Sequence, residues 1–215
     1  MRRRPTTSVH VLAVLLLGIA SACTDERTAD PEPTSTTLAL DELALSASDL
    51  PAGFAASTDV DDTITAFCVN EDAAAGLQAS AREVRGFTRD PAGASVIHLV
   101  FRFGEGAATF VARAGEILDR CSGVPDVRGL AFEYEELSAG VDGAIAGATD
   151  AHVSRFGVSV GSGNLTLDLV VFHRNDVAQL VAVLGLDLPR ADLDELATAT
   201  FDAVAAKLES GAASG

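Results

Sequence analysis

Three side chains of types used in catalysis, one serine and two histidines, occur in the last third of the chain. Residues 157–161 read GVSVG and match G-x-S-x-G, in which the serine of an α/β-hydrolase lies on a tight turn between a strand and a helix. Here the alternation of apolar residues places Ser159 inside a strand, and a second alternating segment follows instead of a helix. We therefore expect that Ser159 is not a nucleophile.

His152 and His173 lie on the two strands of the hairpin that this alternation predicts. A four-residue turn at residues 161–164 would place the two imidazoles opposite each other and the apolar pairs on one face. Opposed histidines could bind a metal ion or titrate together near neutral pH. A zinc site needs three or four ligands, and His98 is expected on the other face of its strand. The simpler interpretation of His152 and His173 is two hydrogen-bonded or hydrated side chains.

Carboxylates cluster at residues 59–62 (DVDD) and at Glu133, Glu135 and Glu136. Such oxygens suit hard cations, but neither cluster has the spacing of an EF-hand loop. Paired carboxylates can also hydrolyse glycosides, which requires a fixed separation between two partners, and no partner acid or base can be named here. We interpret both clusters as solvated surface and expect neither an enzyme nor a resident metal or cofactor.

The spacing of apolar residues predicts antiparallel strands, and these strands would position the side chains named above. The clearest strand has apolar residues at alternate positions from Ile97 to Phe103. The sequence DPAG at residues 90–93 supplies the turn of the first hairpin. The predicted strands span residues 82–89, 94–103, 130–137, 152–160 and 165–173. The expected class is α+β, an antiparallel sheet of about five strands with helices packed on it.

Helical spacing of apolar residues predicts the elements that cover this sheet. A short helix from Leu40 ends at the turn of residues 51–53, and Asp192 and Glu195 have capping-box spacing at the start of the last helix. Further helices are predicted at residues 70–80, 107–120, 176–184 and 192–209. The buried stripe of the last helix is Leu193, Ala197, Phe201, Val204 and Leu208.

Both halves of the chain thus read strand, turn, strand, helix. With a gapless offset of 70 residues, Phe110 of the first half falls on Leu180 of the second. An ancient duplication or two similar supersecondary units would each explain the pattern.

The first 22 residues have the composition of an export signal. Three arginines precede an apolar segment at residues 9–20, which is too short to span a bilayer and has the length of a secretory h-region. Residues 19–23 read IASAC, where small residues before a cysteine resemble a bacterial lipobox. They also satisfy the A-x-A rule of ordinary signal cleavage, and either route leaves Cys23 as the first mature residue. The routes differ in whether Cys23 carries a diacylglycerol with palmitate.

Cysteine parity favours the lipid-anchored route. The chain contains Cys23, Cys68 and Cys121, and an exported protein with three thiols leaves one unpaired. Lipidation of Cys23 removes the odd thiol and leaves Cys68 and Cys121 to form one disulfide in an oxidising compartment. Two buried free thiols are the competing interpretation.

Charge and composition limit the partners of the mature protein. The 215-residue chain has a formal charge of −16, which falls to −19 without residues 1–22 because three arginines and no acid are lost. Such a surface repels the phosphates of nucleic acids and anionic lipid, so a membrane location requires an acyl anchor. We expect a signal peptide at 1–22, a flexible tether at 23–37, one domain at 38–210 and a tail at 211–215.

Several segments together resemble actinobacterial sensor-like domains. Residues 45–54, LSASDLPAGF, resemble the opening of that family. The strand at 96–103, the helix at 107–120 and Cys121 resemble its strand–helix–Cys segment, and the hairpin that ends at His173 matches a later part. The family includes many lipoproteins and the extracellular domain of mycobacterial receptor Ser/Thr kinases of the PknH type, which usually has two disulfides. The resemblance implies a non-catalytic sensor or binding module.

Functions of different classes follow from these observations. We expect a cell-envelope lipoprotein on the extracytoplasmic face of the cell membrane, whose sensor-like domain binds an unknown small molecule or envelope protein. The alternatives are a small exported hydrolase or metal-dependent enzyme, using His152, His173 or Ser159, and an envelope scaffold. An enzyme would bring two or more of these side chains together in one pocket, whereas a binding module presents an apolar groove with few titratable groups.

The cysteine count generates a first testable prediction. A Cys68–Cys121 disulfide should be present in the exported protein, and a loop of that span should stabilise the fold by about 4 kcal/mol through the lost entropy of the unfolded chain. Non-reducing peptide mapping should recover the two peptides as one linked species. Recovery of both thiols alkylated without prior reduction would show that the bridge does not exist.

Overall fold

Eight β-strands form one sheet in the computed structural model of this chain, and neighbouring strands are antiparallel. The structure describes residues 39–58, 76–90, 93–119, 124–127, 130–136, 145–160 and 163–213. Within these residues the strands are β1 (Ala55–Ser57), β2 (Ala81–Arg89), β3 (Ala94–Arg102), β4 (Val124–Val127), β5 (Leu130–Glu136), β6 (Thr149–Val160), β7 (Gly163–Arg174) and β8 (Val177–Leu186). The order across the sheet is β1-β2-β3-β8-β7-β6-β5-β4.

The α+β class and the five predicted strands are confirmed, and the described residues contain three further strands. The additional strands β1 and β4 are short and lie at the two edges of the sheet. The third, β8, spans Val177–Leu186, whereas the sequence predicted a helix at residues 176–184, and that prediction is wrong. Nine of the ten β8 residues are buried. A central strand that is covered on both faces has a nearly continuous apolar sequence, which resembles that of a buried helix.

Helices cover both faces of the sheet. On one face lie α1 (Leu40–Leu43) and α3 (Arg190–Ala213), and on the other lies α2 (Ala107–Leu118). Side chains alternate along β3, so that Val96, His98 and Val100 point toward α1 and α3, whereas Ile97 and Leu99 point toward α2. The expected placement of His98 on the opposite face from Ile97 is therefore confirmed, and the sheet separates two apolar cores.

The last helix is longer than the sequence predicted. It begins at Arg190, directly after Pro189, and extends to Ala213, so residues 211–213 of the expected tail are helical. Asp192 lies in the first turn, where a carboxylate is favourable beside the positive end of the helix dipole. The capping-box prediction is thus wrong, because the helix starts two residues earlier. All five residues of the predicted stripe are buried.

The two halves of the chain do not repeat one unit. In the first half β2 and β3 lead into α2, whereas in the second half β6 and β7 are followed by β8 before α3. The offset of 70 residues had aligned Phe110 of a helix with Leu180 of a strand. The observed order therefore contradicts a strand–turn–strand–helix repeat at this offset.

Some sequence predictions fall outside the described residues. They concern the export signal and tether at residues 1–37, all three cysteines and the acidic cluster at 59–62. Of the helix predicted at residues 70–80, the described part, 76–80, is not helical. No helix in the described ranges is both long and apolar enough to cross a membrane.

Candidate functional site

The hairpin of β6 and β7 has a different register from the one that the sequence predicted. Its strands are joined by two residues, 161–162, instead of four. His152 consequently pairs with Val171, and His173 pairs with Thr149 beyond an irregularity in β6. The predicted opposition of the two histidines is therefore wrong.

The error in register has a physical cause. A shift of two residues leaves every side chain on its original face, because side chains alternate with a period of two. Phe156 faces Leu167 in the structure instead of the predicted Leu169, and both leucines belong to the core under α2. The apolar pattern therefore selects the face of each side chain but not the register of the hairpin.

Each of the two histidines lies beside a carboxylate of its own. The Nε2 atom of His152 is 3.3 Å from Oδ1 of Asp119, which follows α2, and Nε2 of His173 is 3.3 Å from Oδ2 of Asp150. Both carboxylates are well exposed, so these contacts contribute little to stability. Across the part of the chain that the structure describes, no three His, Cys, Asp or Glu residues form a metal-binding group.

The ring of His152 also packs directly on α2. A Cβ atom on Gly115 would lie 3.1 Å from Nδ1 of His152, closer than side-chain carbons usually approach. Glycine inside a helix costs about 1 kcal/mol relative to alanine, and here it lets the helix approach the imidazole. His152 is thus part of the contact between α2 and β6.

Ser159 lies within β6, as the alternating sequence predicts. It pairs with Asn164 of β7 on one side and with Glu133 of β5 on the other, and β7 follows it in the chain. This position differs from the strand-to-helix turn of a hydrolase nucleophile. Glu135 also lies on β5, where it pairs with Gly157.

A buried ion cluster between the sheet and α3 was not predicted from the sequence. Arg155 of β6 pairs with Asp168 of β7, and its guanidinium binds that carboxylate through Nε and through Nη2, the latter 2.5 Å from Oδ2. Nη2 is also 2.6 Å from Oδ1 of Asp194 on α3. The side chains of Arg155 and Asp168 are only 3% and 2% exposed. Arg190, at the start of α3, lies 4.0 Å from Asp194.

The cluster connects two strands and a helix through one cation. The hydrogen bond to Asp168 raises the pKa of the Arg155 guanidinium above its usual range, against the effect of burial. Opposite charges at paired positions of a hairpin were the available sequence signal. The predicted register would have paired Arg155 with Val170, and so it concealed the ion pair.

His98 is a second polar group enclosed on the face of α1 and α3. Its Nδ1 accepts a hydrogen bond from the backbone N–H of Leu45 at 3.1 Å, and its Nε2 donates to Oε1 of Gln179 at 2.8 Å. Complete burial lowers the pKa of His98 from 6.5 to about 4, although the hydrogen bond to Gln179 acts in the opposite direction. The neutral ring therefore joins β3 and β8 to the segment that follows α1.

Three phenylalanines cluster on the other face, at the end of β3. The ring centroids of Phe101, Phe103 and Phe110 are 5.0 to 5.7 Å apart. Phe110, a residue of α2, is buried, whereas Phe101 and Phe103 are partly exposed, as are Leu77 and Val84, which pack against the same core. These four partly exposed residues form what we call the aromatic patch. Clustered apolar side chains of this kind can contact an apolar ligand or partner.

The arrangement of the sheet and helices matches a solved structure. The extracellular domain of PknH from Mycobacterium tuberculosis is similar to this chain with a TM-score of 0.57 and 13% identity, over 80% of this chain and 94% of that one. The chain has the fold of that extracellular domain. The resemblance that begins at residues 45–54 is therefore confirmed at the level of the fold.

A second solved structure is much less similar in fold. A protein of Mycobacterium smegmatis, the Rv0999 ortholog, aligns over 73% of this chain and 78% of its own at 13% identity, but its TM-score is 0.28. No family model matches the sequence, and no curated protein matches it.

The ion cluster predicts unequal effects from two arginines beside the same carboxylate. Arg155→Met should lower the free energy of unfolding by about 3–5 kcal/mol, because it leaves the buried Asp168 without a cation. Arg190→Met removes an exposed guanidinium 4.0 Å from Asp194 and should cost about 1 kcal/mol or less. Urea denaturation followed by circular dichroism measures both changes.

A double variant separates the charge from the packing. Asp168→Leu added to Arg155→Met should recover part of the lost stability, because the unpaired buried charge is removed. Equal losses for Arg155→Met and Arg190→Met would contradict the central role of Arg155.

Proposed function

We propose that this chain is an exported lipoprotein whose sensor-like domain binds a small molecule or an envelope protein outside the cytoplasmic membrane, without catalysis. The observation that carries the proposal is the fold, which the chain shares with the extracellular domain of PknH. Because one fold can have many functions, the proposal also draws on the export signal, the anchor cysteine and the contacts that the polar side chains make within the fold.

Cys23 is the proposed point of attachment to the membrane. It follows an apolar segment and the small residues of a lipobox, and its acylation would remove the odd thiol. The strongly acidic mature chain is repelled by anionic headgroups, so membrane attachment needs an acyl chain. The polar residues 24–37 contain two prolines and would act as a spacer between the lipid and the domain.

The polar side chains that could take part in catalysis contact other groups of the fold separately, which favours binding over catalysis. His98 and Arg155 contact partners inside the fold, and His152 and His173 lie beside separate carboxylates. Catalysis instead needs a nucleophile or an acid–base pair that converges on one point. The aromatic patch offers apolar side chains partly open to solvent, which suits the apolar group of a ligand.

Replacement of Cys23 tests the anchor. The wild-type protein should fractionate with membranes, incorporate labelled palmitate and accumulate unprocessed in globomycin. Cys23→Ser should be soluble or unprocessed and unlabelled, because serine cannot form the thioether. Cys68→Ser keeps the lipobox cysteine and should remain labelled. Normal cleavage of Cys23→Ser with full membrane retention would contradict the proposed anchor.

Extraction of the native protein in mild detergent tests for a bound partner. Mass spectrometry should find a small molecule with an apolar group, or an envelope protein, that stays with the wild-type chain, and separate metabolite and peptide analyses distinguish the two. Phe103→Ser removes a ring from the aromatic patch and should weaken retention about 10- to 100-fold, because burying such a side chain contributes roughly 1.5–3 kcal/mol.

Leu186→Ser is the matched control for Phe103→Ser. Leu186 is 46% exposed and lies at the far end of β8, whereas the backbone of Phe103 bonds to Asp176 just before β8 begins. Leu186→Ser should retain the partner, and an equal loss in both variants would exclude the aromatic patch. Labelling of Ser159 by a fluorophosphonate probe would overturn the non-catalytic proposal.

A further inference from the structure

The first described segment of the chain is docked on the face of the sheet that α3 also covers. This segment, residues 40–50, contains α1 and a 3₁₀ turn at Ala47–Asp49, and we call it the N-terminal segment. Its buried leucines are Leu40, Leu43, Leu45 and Leu50. Lys207 of α3 lies 3.1 Å from Asp49. The segment begins shortly after the residues at which the tether is expected.

The contact between the N-terminal segment and His98 depends on the protonation of the ring. Nδ1 accepts the N–H of Leu45, so Nδ1 has no proton, and Nε2 carries the proton that it donates to Gln179. A second proton can be added only at Nδ1. That proton would occupy the lone pair that Leu45 uses, so the imidazolium and the hydrogen bond to Leu45 exclude each other.

Among the residues that the structure describes, the charged groups around His98 do not offset a positive ring. Arg85 lies opposite His98 in the register of β2 and β3, and it forms a 2.8 Å ion pair with Glu83. On the helical side, Lys207 of α3 pairs with Asp49 of the N-terminal segment, and its charge lowers the pKa of His98 further. The partner on β8 is a neutral amide. Each of the two carboxylates is thus engaged by a cation, and a buried imidazolium would be uncompensated.

We propose that His98 is an acid-operated latch for the N-terminal segment: the neutral ring holds Leu45 against the sheet, and a proton on Nδ1 releases the segment. Release hydrates the imidazolium, which removes the cost of the buried charge. This consequence rests on the proposed anchor at Cys23: release of residues 39–50 would lengthen the connection between the membrane and the sheet by up to about 40 Å. The latch would thereby couple the acidity of the surroundings to the reach of the domain.

The direction of the pH effect follows from the proton balance. In the docked state His98 is mostly protonated only below its pKa of about 4, whereas a released, hydrated histidine is mostly protonated below its ordinary pKa of 6.5. Between these values the released state carries the extra proton, so a fall in pH favours release. The opening equilibrium should be nearly constant above about pH 7.5 and should increase about 160-fold by pH 4, where the docked ring is itself half protonated. The limit of about 300-fold, which the two pKa values set, is approached only below about pH 4.

Hydrogen–deuterium exchange of the full mature chain in detergent tests the latch. Exchange of the N-terminal segment is measured from pH 7 to pH 4 and divided by the intrinsic rate at each pH, which leaves the opening equilibrium. The amide of Leu45 should open about 100-fold more at pH 4 than at pH 7, while the amides of β7 and β8 remain protected at both values. Equal opening of the segment and these strands would indicate global unfolding and overturn the latch.

Two variants provide the controls for the exchange experiment. In His98→Gln, an amide can still accept the N–H of Leu45 but does not titrate, so opening should lose its pH dependence. His173→Gln alters a ring that lies beside Asp150 on the α2 face, and it should keep the wild-type dependence. Opening that remains equally pH-dependent in folded His98→Gln would overturn the proposal.

Nitrogen chemical shifts of wild-type His98 decide the question if His98→Gln does not fold. They should show a proton on Nε2 and none on Nδ1 at pH 7, and the hydrogen bond to Leu45 should disappear as Nδ1 gains its proton. Persistence of that hydrogen bond with a protonated ring would overturn the latch. None of these results depends on acylation of Cys23, which the palmitate assay tests separately.

Discussion

Strand β8 is apolar on both of its faces, and a helical layer on one side could cover only half of it. Its side chains alternate between the core under α2 and the core under α1 and α3, and it is paired with β3 and β7 along its length. Burial of both faces requires helices on both sides of the sheet. The insertion of the last strand between β3 and β7, and the opposite placement of α2 and α3, satisfy this requirement.

Enclosing the sheet on both sides also encloses polar groups, and each of these needs a partner. On the face of α1 and α3, His98 accepts the N–H of Leu45 and Arg155 binds Asp194. Apolar packing has no direction, whereas a hydrogen bond or an ion pair fails when the covering element is shifted. These two contacts therefore select one docked position for the N-terminal segment and one for α3.

The proposed binding and the proposed latch use opposite faces of the same strand. β3 carries His98 toward the N-terminal segment and carries Phe101, a residue of the aromatic patch, on the face that α2 covers. The sheet of this chain thus has two faces with different chemistry. One surface has directional contacts that respond to charge, and the other has partly exposed rings suited to an apolar group.

The sequence alone determined which residues face a core, because period-two and helical patterns follow from the local geometry of strands and helices. It therefore predicted five strands, the amphipathic α2 and the buried stripe of α3.

Contacts between elements distant in sequence decided the rest. A two-residue slip keeps every side chain of β6 on its face, so only the assembled hairpin could pair Arg155 with Asp168. The run from Val177 to Leu186 suits a buried helix or a buried strand, and the place between β3 and β7 made it a strand. His98 acquired its neutral, hydrogen-bonded state only when the chain brought Leu45 and Gln179 to its two nitrogens, since burial and partners are properties of the packed structure.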